Sequence, residues 1–279
     1  MLMSIGELIL DITITPEGPV QPNDDTAARI RLGGGGQAAN VCAWAAHLGE
    51  PARLIARLGD DATGRRLAAE IEASGVDFCP VWGAEPSGTI AILVGPGGDR
   101  SMFTQHGAGT ALQPGDLRPE WFEGVDLIHV PAYAFFVEPL ASAARAAIES
   151  VRSRGGQLSI DLSSVAGLRE YGRLRMVGDL RRLAPNVVFA SAAEADELGT
   201  PLEKLTAIPV VKLGAAGCIV LGRQVPAPAV VEVDPTGAGD AFAAAFCVMH
   251  LRGASPPDAA KTAVQVASQA VTLVGARPS

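Results

Sequence analysis

The sequence predicts a three-layer α/β/α protein with a mostly parallel central sheet and a small β-sheet lid. Two patterns carry that expectation. From about residue 107 onward, short apolar runs at 127–130, 158–162, 187–190 and 210–213 alternate with helical patterns such as 139–154. Such alternation builds a parallel sheet covered by helices on both faces. Nearer the N-terminus, residues 12–15 and 27–32 alternate apolar with polar, as half-exposed strands do. A hairpin at 88–94 and 101–105, around Gly95-Pro96-Gly97-Gly98-Asp99, supplies the rest of the lid. The lid is therefore discontinuous, 11–32 and 86–106, on a single domain spanning 1–279. No repeat, low-complexity tract or linker interrupts the 279 residues.

Residues 4–10 read as a short buried strand with Asp11 at its carboxyl end, where open α/β sheets bind ligands. A turn-forming role is the alternative for Asp11. Gly33, Gly34, Gly35 and Gly36 then open a helix with Val41, Trp44, Ala45 and Leu48 on its apolar face, ended by Gly49 and Pro51. The glycines expose backbone N–H groups, and Asn40 offers both a donor and an acceptor. Gly33-x-Gly35-x-x-Ala38 also fits a relaxed dinucleotide fingerprint, but the following strand, 53–58, has Arg57 near its end where an acid is wanted. Residues 59–64 turn into a helix that runs through Ala73 and stops at Gly75. Arg100 and His106 read as a solvated guanidinium and a satisfied imidazole rather than ligand contacts. Ser191-Ala192-Ala193-Glu194 has the form of a helix cap.

The most informative stretch is Asp234-Pro235-Thr236-Gly237-Ala238-Gly239-Asp240, which leads into a run of small helix formers. A glycine-rich loop opening a helix makes an anion site, because the first-turn N–H groups have no intrahelical partner and the macrodipole adds positive potential. An acid beside that site would repel a phosphate if binding were the only task. It fits a role in handling a proton during phosphoryl transfer. The plainer alternative is that Asp240 only caps the helix.

Composition narrows the classes. Lys+Arg 22 against Asp+Glu 30 gives a net charge of −8 with no basic run, which argues against a general nucleic-acid binder. Cys42, Cys79, Cys218 and Cys247 are scattered, read as buried thiols of a reducing compartment and lack metal-ligand spacing. Glu7 and Asp11 come too early for a signal peptide, and no apolar run approaches membrane-spanning length, so a cytoplasmic location is expected. There is no Gly-Lys-Ser/Thr phosphate loop, no metal-like spacing of His47, His106, His129 and His250, and no Gly-x-Ser-x-Gly elbow.

Thr236-Gly237-Ala238-Gly239-Asp240 before a small apolar helix resembles the C-terminal signature of the PfkB (ribokinase-like) carbohydrate kinases. Gly33-Gly34-Gly35-Gly36-Gln37-Ala38-Ala39-Asn40 resembles that family's N-terminal signature, in the expected order. The resemblance runs through nearly the whole chain and implies a ribokinase-like fold whose lid covers a sugar. It implies ATP-dependent phosphorylation of a hydroxymethyl group of a small sugar or polyol, with Asp240 as base and Thr236, Gly237, Ala238 and Gly239 as anion hole. Asp11, Gly35, Gly36 and Asn40 would hold the acceptor. Glu194, Lys212, Gly214, Gly217 and Thr236 would lie on the nucleotide side, Glu194 organising water on Mg2+. Ser191 replaces the family's usual Asn, and Pro235 its frequent Thr. Asp234, Gly275, Ala276 and Ser279 resemble a monovalent-cation site, which implies K+, and the lid strands of some relatives pair subunits into a homodimer. A nucleoside kinase of the same fold remains open, although 5% aromatic residues give few rings to stack a base. So does a non-catalytic sugar-binding protein, which would have little use for an intact Asp240.

Overall fold

The computed structural model describes residues 1–95 and 99–278. The chain starts in β1 (Leu2–Ile5) and turns into the lid strands β2 (Ile9–Pro16) and β3 (Ala28–Gly35). Helix α1 (Gln37–His47), β4 (Ala52–Gly59), α2 (Ala62–Ala73) and β5 (Asp77–Gly83) return to the main body. The lid is completed by β6 (Thr89–Val94) and β7 (Arg100–Gln105). After them come β8 (Leu127–Pro131), α3 (Tyr133–Phe136), α4 (Leu140–Arg152), β9 (Gln157–Asp161), α5 (Val165–Tyr171) and α6 (Arg173–Leu183). The last elements are β10 (Val187–Ser191), α7 (Ala192–Leu198), β11 (Ile208–Lys212), β12 (Cys218–Val220), β13 (Arg223–Val225), α8 (Ala238–Leu251) and α9 (Pro256–Ala270).

The main sheet has nine strands in the order β13-β12-β11-β10-β9-β8-β1-β4-β5, and every pairing from β11 to β5 is parallel. Only the β11–β12–β13 edge is antiparallel. Successive residues of a strand face opposite sides, so each parallel strand feeds two cores. Leu2, Leu54, Leu127 and Phe189 pack with α1, α8 and α9 on one side. Met3, Ile55, Ile128 and Val188 pack with α4, α5 and α6 on the other. The three layers are built from this alternation. No helix among the described residues is long and apolar enough to cross a membrane.

The smaller sheet has the order β3-β2-β6-β7. Its strands extend beyond the limits read from the sequence, β2 beginning at Ile9 and β3 ending at Gly35. The single strand expected over 4–10 is two strands in two sheets. Gly6, at φ 156°, breaks the run in a conformation that a side chain disfavours. Asp11 consequently sits within lid strand β2, not at the carboxyl end of β1. The turn expected at Gly95-Pro96-Gly97-Gly98-Asp99 falls partly on residues 96–98, outside the described residues; Gly95 N donates to the Asp99 carbonyl at 2.7 Å across it.

Candidate active site

Helix α8 begins at Ala238, with Gly237 as its cap in the left-handed region at φ 75°. A Cβ on Gly237 would lie 2.5 Å from the Ala276 carbonyl oxygen, so the loop closes on the C-terminal segment only because this residue is glycine. Among the described residues the amides of Gly237, Gly239 and Asp240 donate to no protein acceptor. Of the four residues expected to form the anion hole, Gly237 and Gly239 thus keep free amides, whereas Thr236 N donates to Asp234 Oδ1 and Ala238 N to the Pro235 carbonyl at 3.3 Å.

Asp240, third in the helix, is buried, and its Oδ2 accepts from Asn40 Nδ2 at 2.7 Å. Burial pushes its pKa up to about 7, against the lowering effect of the Asn40 hydrogen bond. Nearby Asp161 raises it further, and Lys212 opposes it. The carboxyl is therefore poised near neutrality instead of at an ordinary carboxylate value. Asp161 ends β9 fully buried and pairs with Lys212 Nζ at 2.5 Å. That ion pair is where the structure puts Lys212. The same lysine also lines the adjacent cavity.

On the other side of Asn40, Asp11 lies against Gly35. A Cβ on Gly35 would sit 2.2 Å from Asp11 Oδ2, so glycine is required for this approach. Burial pushes the Asp11 carboxyl up to about 6, with the Arg277 guanidinium pulling the other way. Its Oδ1 is buried without a hydrogen-bond partner among the described residues. An orphaned acceptor of this kind calls for a ligand donor such as a hydroxyl. Asn40 differs from expectation, because both ends of its amide are engaged within the protein. Nδ2 donates to Asp240, and Oδ1 accepts from Arg277 Nε at 3.0 Å.

A cavity of about 480 Å³ opens beside the anion loop, lined by Lys212, Gly214, Gly217, Pro235, Gly239 and Phe242 together with α9. Five of the residues assigned to the nucleotide side or anion hole, Lys212, Gly214, Gly217, Ala238 and Gly239, thus line one cavity. Glu194 lies apart from that lining. It forms a capping box at the start of α7, accepting from Ser191 N at 2.7 Å while its own amide donates to Ser191 Oγ at 3.2 Å. Burial pushes its carboxyl up, and Asp161 adds to that. Thr236 turns back on Asp234, its N and Oγ1 donating to Asp234 Oδ1 at 2.9 and 2.6 Å. A cleft of similar size, about 520 Å³, opens at the β5 edge between Trp82, Arg118 and Trp121, and contains none of the predicted residues.

Asp234 also receives Gly275 N at 3.0 Å and Arg100 Nη2 at 2.6 Å. Burial raises its pKa, but the bonds from Thr236, Arg100 and Gly275 outweigh this and hold it at about 2. Arg100, at the start of β7, also donates to Thr236 Oγ1. It is thus a bridge from lid to anion loop and not a solvated side chain. The carboxylate expected to hold a monovalent cation already carries a guanidinium, so this donor set does not fit K+ at Asp234. Ser279 lies outside the described residues. His106 is matched by Glu7 at 2.8 Å, whose hydrogen bond raises its pKa.

The residues missed by sequence reasoning are Asp161, Arg277, Gln37 and Ser163, the last two joined Ser163 Oγ to Gln37 Oε1 at 2.7 Å. Asp161 had a signal: an acid ending an apolar run at the carboxyl end of a parallel strand. The others are assembled by tertiary contact alone.

A buried carboxylate of near-neutral pKa, unpaired amides at a helix start and a cavity of nucleotide size form the layout of a phosphoryl-transfer site in an α/β fold. The model of the pfkB family of carbohydrate kinases matches residues 1–279, and the chain belongs to that family. Fructokinase-1 of Oryza sativa subsp. japonica is 30% identical over 269 residues, covering 88% of this chain and 81% of that one. The ATP-dependent ribose-1-phosphate kinase of Halopiger xanaduensis is 30% identical over 260 residues, covering 90% and 84%. The crystal structure of adenosine kinase from Sinorhizobium meliloti superposes with a TM-score of 0.87 at 26% identity, covering 99% of this chain and 95% of that one.

Proposed function

We propose that this carbohydrate kinase transfers the γ-phosphoryl group of ATP to a hydroxymethyl group of a small sugar or polyol. The observation that carries the reading is Asp240, buried beside the unpaired amides of Gly237 and Gly239. ATP lies in the cavity lined by Lys212, Gly214 and Gly217, its phosphates directed at the anion hole. The acceptor lies between Asp11 and Asp240, its non-reacting hydroxyls donating to the unpartnered Asp11 Oδ1. Asp240 takes the reacting hydroxyl's proton as that oxygen bonds to phosphorus and the bond to the ADP oxygen breaks. The amides stabilise charge on the moving phosphoryl oxygens. The small sheet, built from 11–32 and 86–106, acts as a lid over the acceptor, excluding water that would compete with it.

No group of three or more His, Cys, Asp or Glu among the described residues is placed to hold a metal. Glu194, with Asp161 the only acid among the described residues near enough to raise its pKa, suits Mg2+ carried by the phosphates and water rather than by a protein cage. The ion would neutralise phosphate charge. The four cysteines are buried and free, which supports a reducing, cytoplasmic setting.

ADP release from ATP and Mg2+ across sugars, polyols, sugar phosphates and nucleosides tests the reading. One sugar or polyol that raises the rate, and fails to do so with Asp240→Asn, is the expected result. A nucleoside in that place would replace the acceptor class. Ligands that raise the melting temperature without any ADP release would mean a binding protein.

Two further outcomes are expected. Because Arg100 occupies Asp234, the rate is the same in potassium, sodium and choline chloride at equal ionic strength. Strong activation by potassium alone would show that Arg100 leaves Asp234 during turnover. The second concerns assembly. Leu32, Ile12, Ala91 and Phe103 form one row across all four lid strands, with Ile30 beside it on the same face. Ile30, Leu32 and Phe103 are 62%, 49% and 64% exposed, an apolar patch suited to a second copy of the chain. Sedimentation should give a dimer for the wild type and a monomer for Phe103→Asp; a wild-type monomer rejects the lid dimer.

A further inference from the structure

Residues 275–277 run between α1 and the anion loop and touch both. Gly275 donates its amide to Asp234. The Ala276 carbonyl accepts from Trp44 Nε1 at 3.0 Å and lies against Gly237. Arg277 reaches into the acceptor side, where Nη2 donates to the Gly35 carbonyl at 2.7 Å and Nε to Asn40 Oδ1 at 3.0 Å. Asn40 and Trp44 are one helical turn apart on α1, so a single face of that helix holds two successive tail residues.

An asparagine amide can present either end to a neighbour, but a guanidinium has donors only. Arg277 therefore accepts just one orientation of Asn40, with the amide oxygen toward itself. The amide nitrogen then faces Asp240 Oδ2 and donates to it. We propose that Arg277 is a positioning residue: it locks the Asn40 amide so that Asn40 holds one oxygen of the Asp240 carboxylate and leaves the other for the acceptor's proton. This rests on Asp240 acting as the base. The C-terminal segment is thereby a wall of the site, and it links the acceptor side to the anion loop through three consecutive residues.

The other groups that face Asp240 are Asp161 on β9, Lys212 on β11, Gln37 on α1 and Tyr133 on α3. Among the described residues none of them hydrogen-bonds to Asn40, so a change at Arg277 that acts through Asn40 can be separated from their charges. Without Arg277 the amide is free to turn its oxygen toward the carboxylate, where it repels the ionised form.

The experiment is a double-mutant cycle of Arg277→Gln and Asn40→Ala, read by carbon-13 titration of the Asp240 carboxyl in the ligand-free protein and by the pH profile of kcat. Arg277→Gln should raise the Asp240 titration midpoint and lower kcat about 10- to 100-fold, as a small displacement of a reacting group does, with little change in acceptor KM. In the Asn40→Ala background the same change should cost little further kcat and move the midpoint less, only by the direct attraction between Arg277 and Asp240. Fully additive effects would overturn the proposal, since they would mean that the through-space charge, which acts whether or not Asn40 is present, is the whole effect. A rise in KM alone, or a lower melting temperature with an unmoved titration, would overturn it too. If the Gln variant is unstable, Arg277→Lys, a donor-only cation, must keep the wild-type midpoint. Should no acceptor support turnover, the kinase reading fails while the titration cycle still decides the role of Arg277.

Discussion

Asp240→Asn should lower turnover by about 10²–10⁴-fold, the range in which a positioned general base contributes, with acceptor binding nearly intact. Asn cannot accept the hydroxyl proton, yet it keeps the shape and can still receive the Asn40 hydrogen bond. In the wild type the rate should climb as pH rises through about 7, where the buried carboxyl loses its proton, and level off above it. Stability moves the other way. The folded state keeps a proton on Asp240 up to about 7, whereas the unfolded chain gives it up near 3.8. Between those values the native state binds more protons, so its stability falls as pH rises. Asp240→Asn removes that loss, and it should raise the melting temperature at pH 8 by an amount that fades toward pH 4. The gain is at most about 4 kcal/mol, given 1.36 kcal/mol for each pKa unit. Calorimetry at the two pH values, with a kcat profile, checks both halves. An equal or lower melting temperature at pH 8 would show that the buried charge is better compensated than the geometry indicates.

Lys212→Met should be the most destabilising single change near the site. It strips the partner from Asp161, which is fully buried, while the lysine side chain is itself only 18% exposed. Removing one member of a buried ion pair costs about 3–5 kcal/mol, because the remaining charge has no compensation. For a chain of this size that is roughly a 10 °C fall in melting temperature. The companion change Asp161→Asn should recover most of it, since a neutral amide needs no counter-charge and can still accept from Ser163 N, which now donates to Asp161 Oδ1 at 3.0 Å. If the double variant is no more stable than the single one, the loss comes from packing around the lysine stem. Urea unfolding of the three variants separates these outcomes.

The main sheet was legible because parallel strands buried on both faces leave uninterrupted apolar runs, and 127–130, 158–162, 187–190 and 210–213 each lie within or overlap an observed strand. The anion loop was legible because Gly237 must adopt a left-handed φ and α8 follows at once. What escaped had weaker local signals. Strands β12 and β13 are three residues each, too short for any periodicity. Helix α6 carries Arg173, Arg175, Arg181 and Arg182 on a mostly polar surface, so its apolar stripe is narrow. The break at Gly6-Glu7 was hidden because it is only two residues long, between Leu2–Ile5 and the apolar run Leu8, Ile9 and Leu10. Within the site, glycine spacing and the position of Asp240 could be read directly. The contacts Arg100–Asp234 and Arg277–Asn40 span 134 and 237 residues, and no local pattern announces a pairing of that range.

The order of strands in the smaller sheet has a consequence for how the molecule assembles. β2 and β6 lie side by side, yet β4, α2 and β5 intervene between them in the chain. The lid cannot zip up as a local meander: its central seam closes only after that intervening unit has docked on β1 and brought the two ends together. Closing so long a loop first, and being repaid in contacts only afterwards, puts the lid late in folding. The same wiring makes the lid hard to excise or transplant, because cutting it out opens the main sheet at β4 and β5 as well. The smaller sheet is thus sewn through the main one, and neither can be completed without the other.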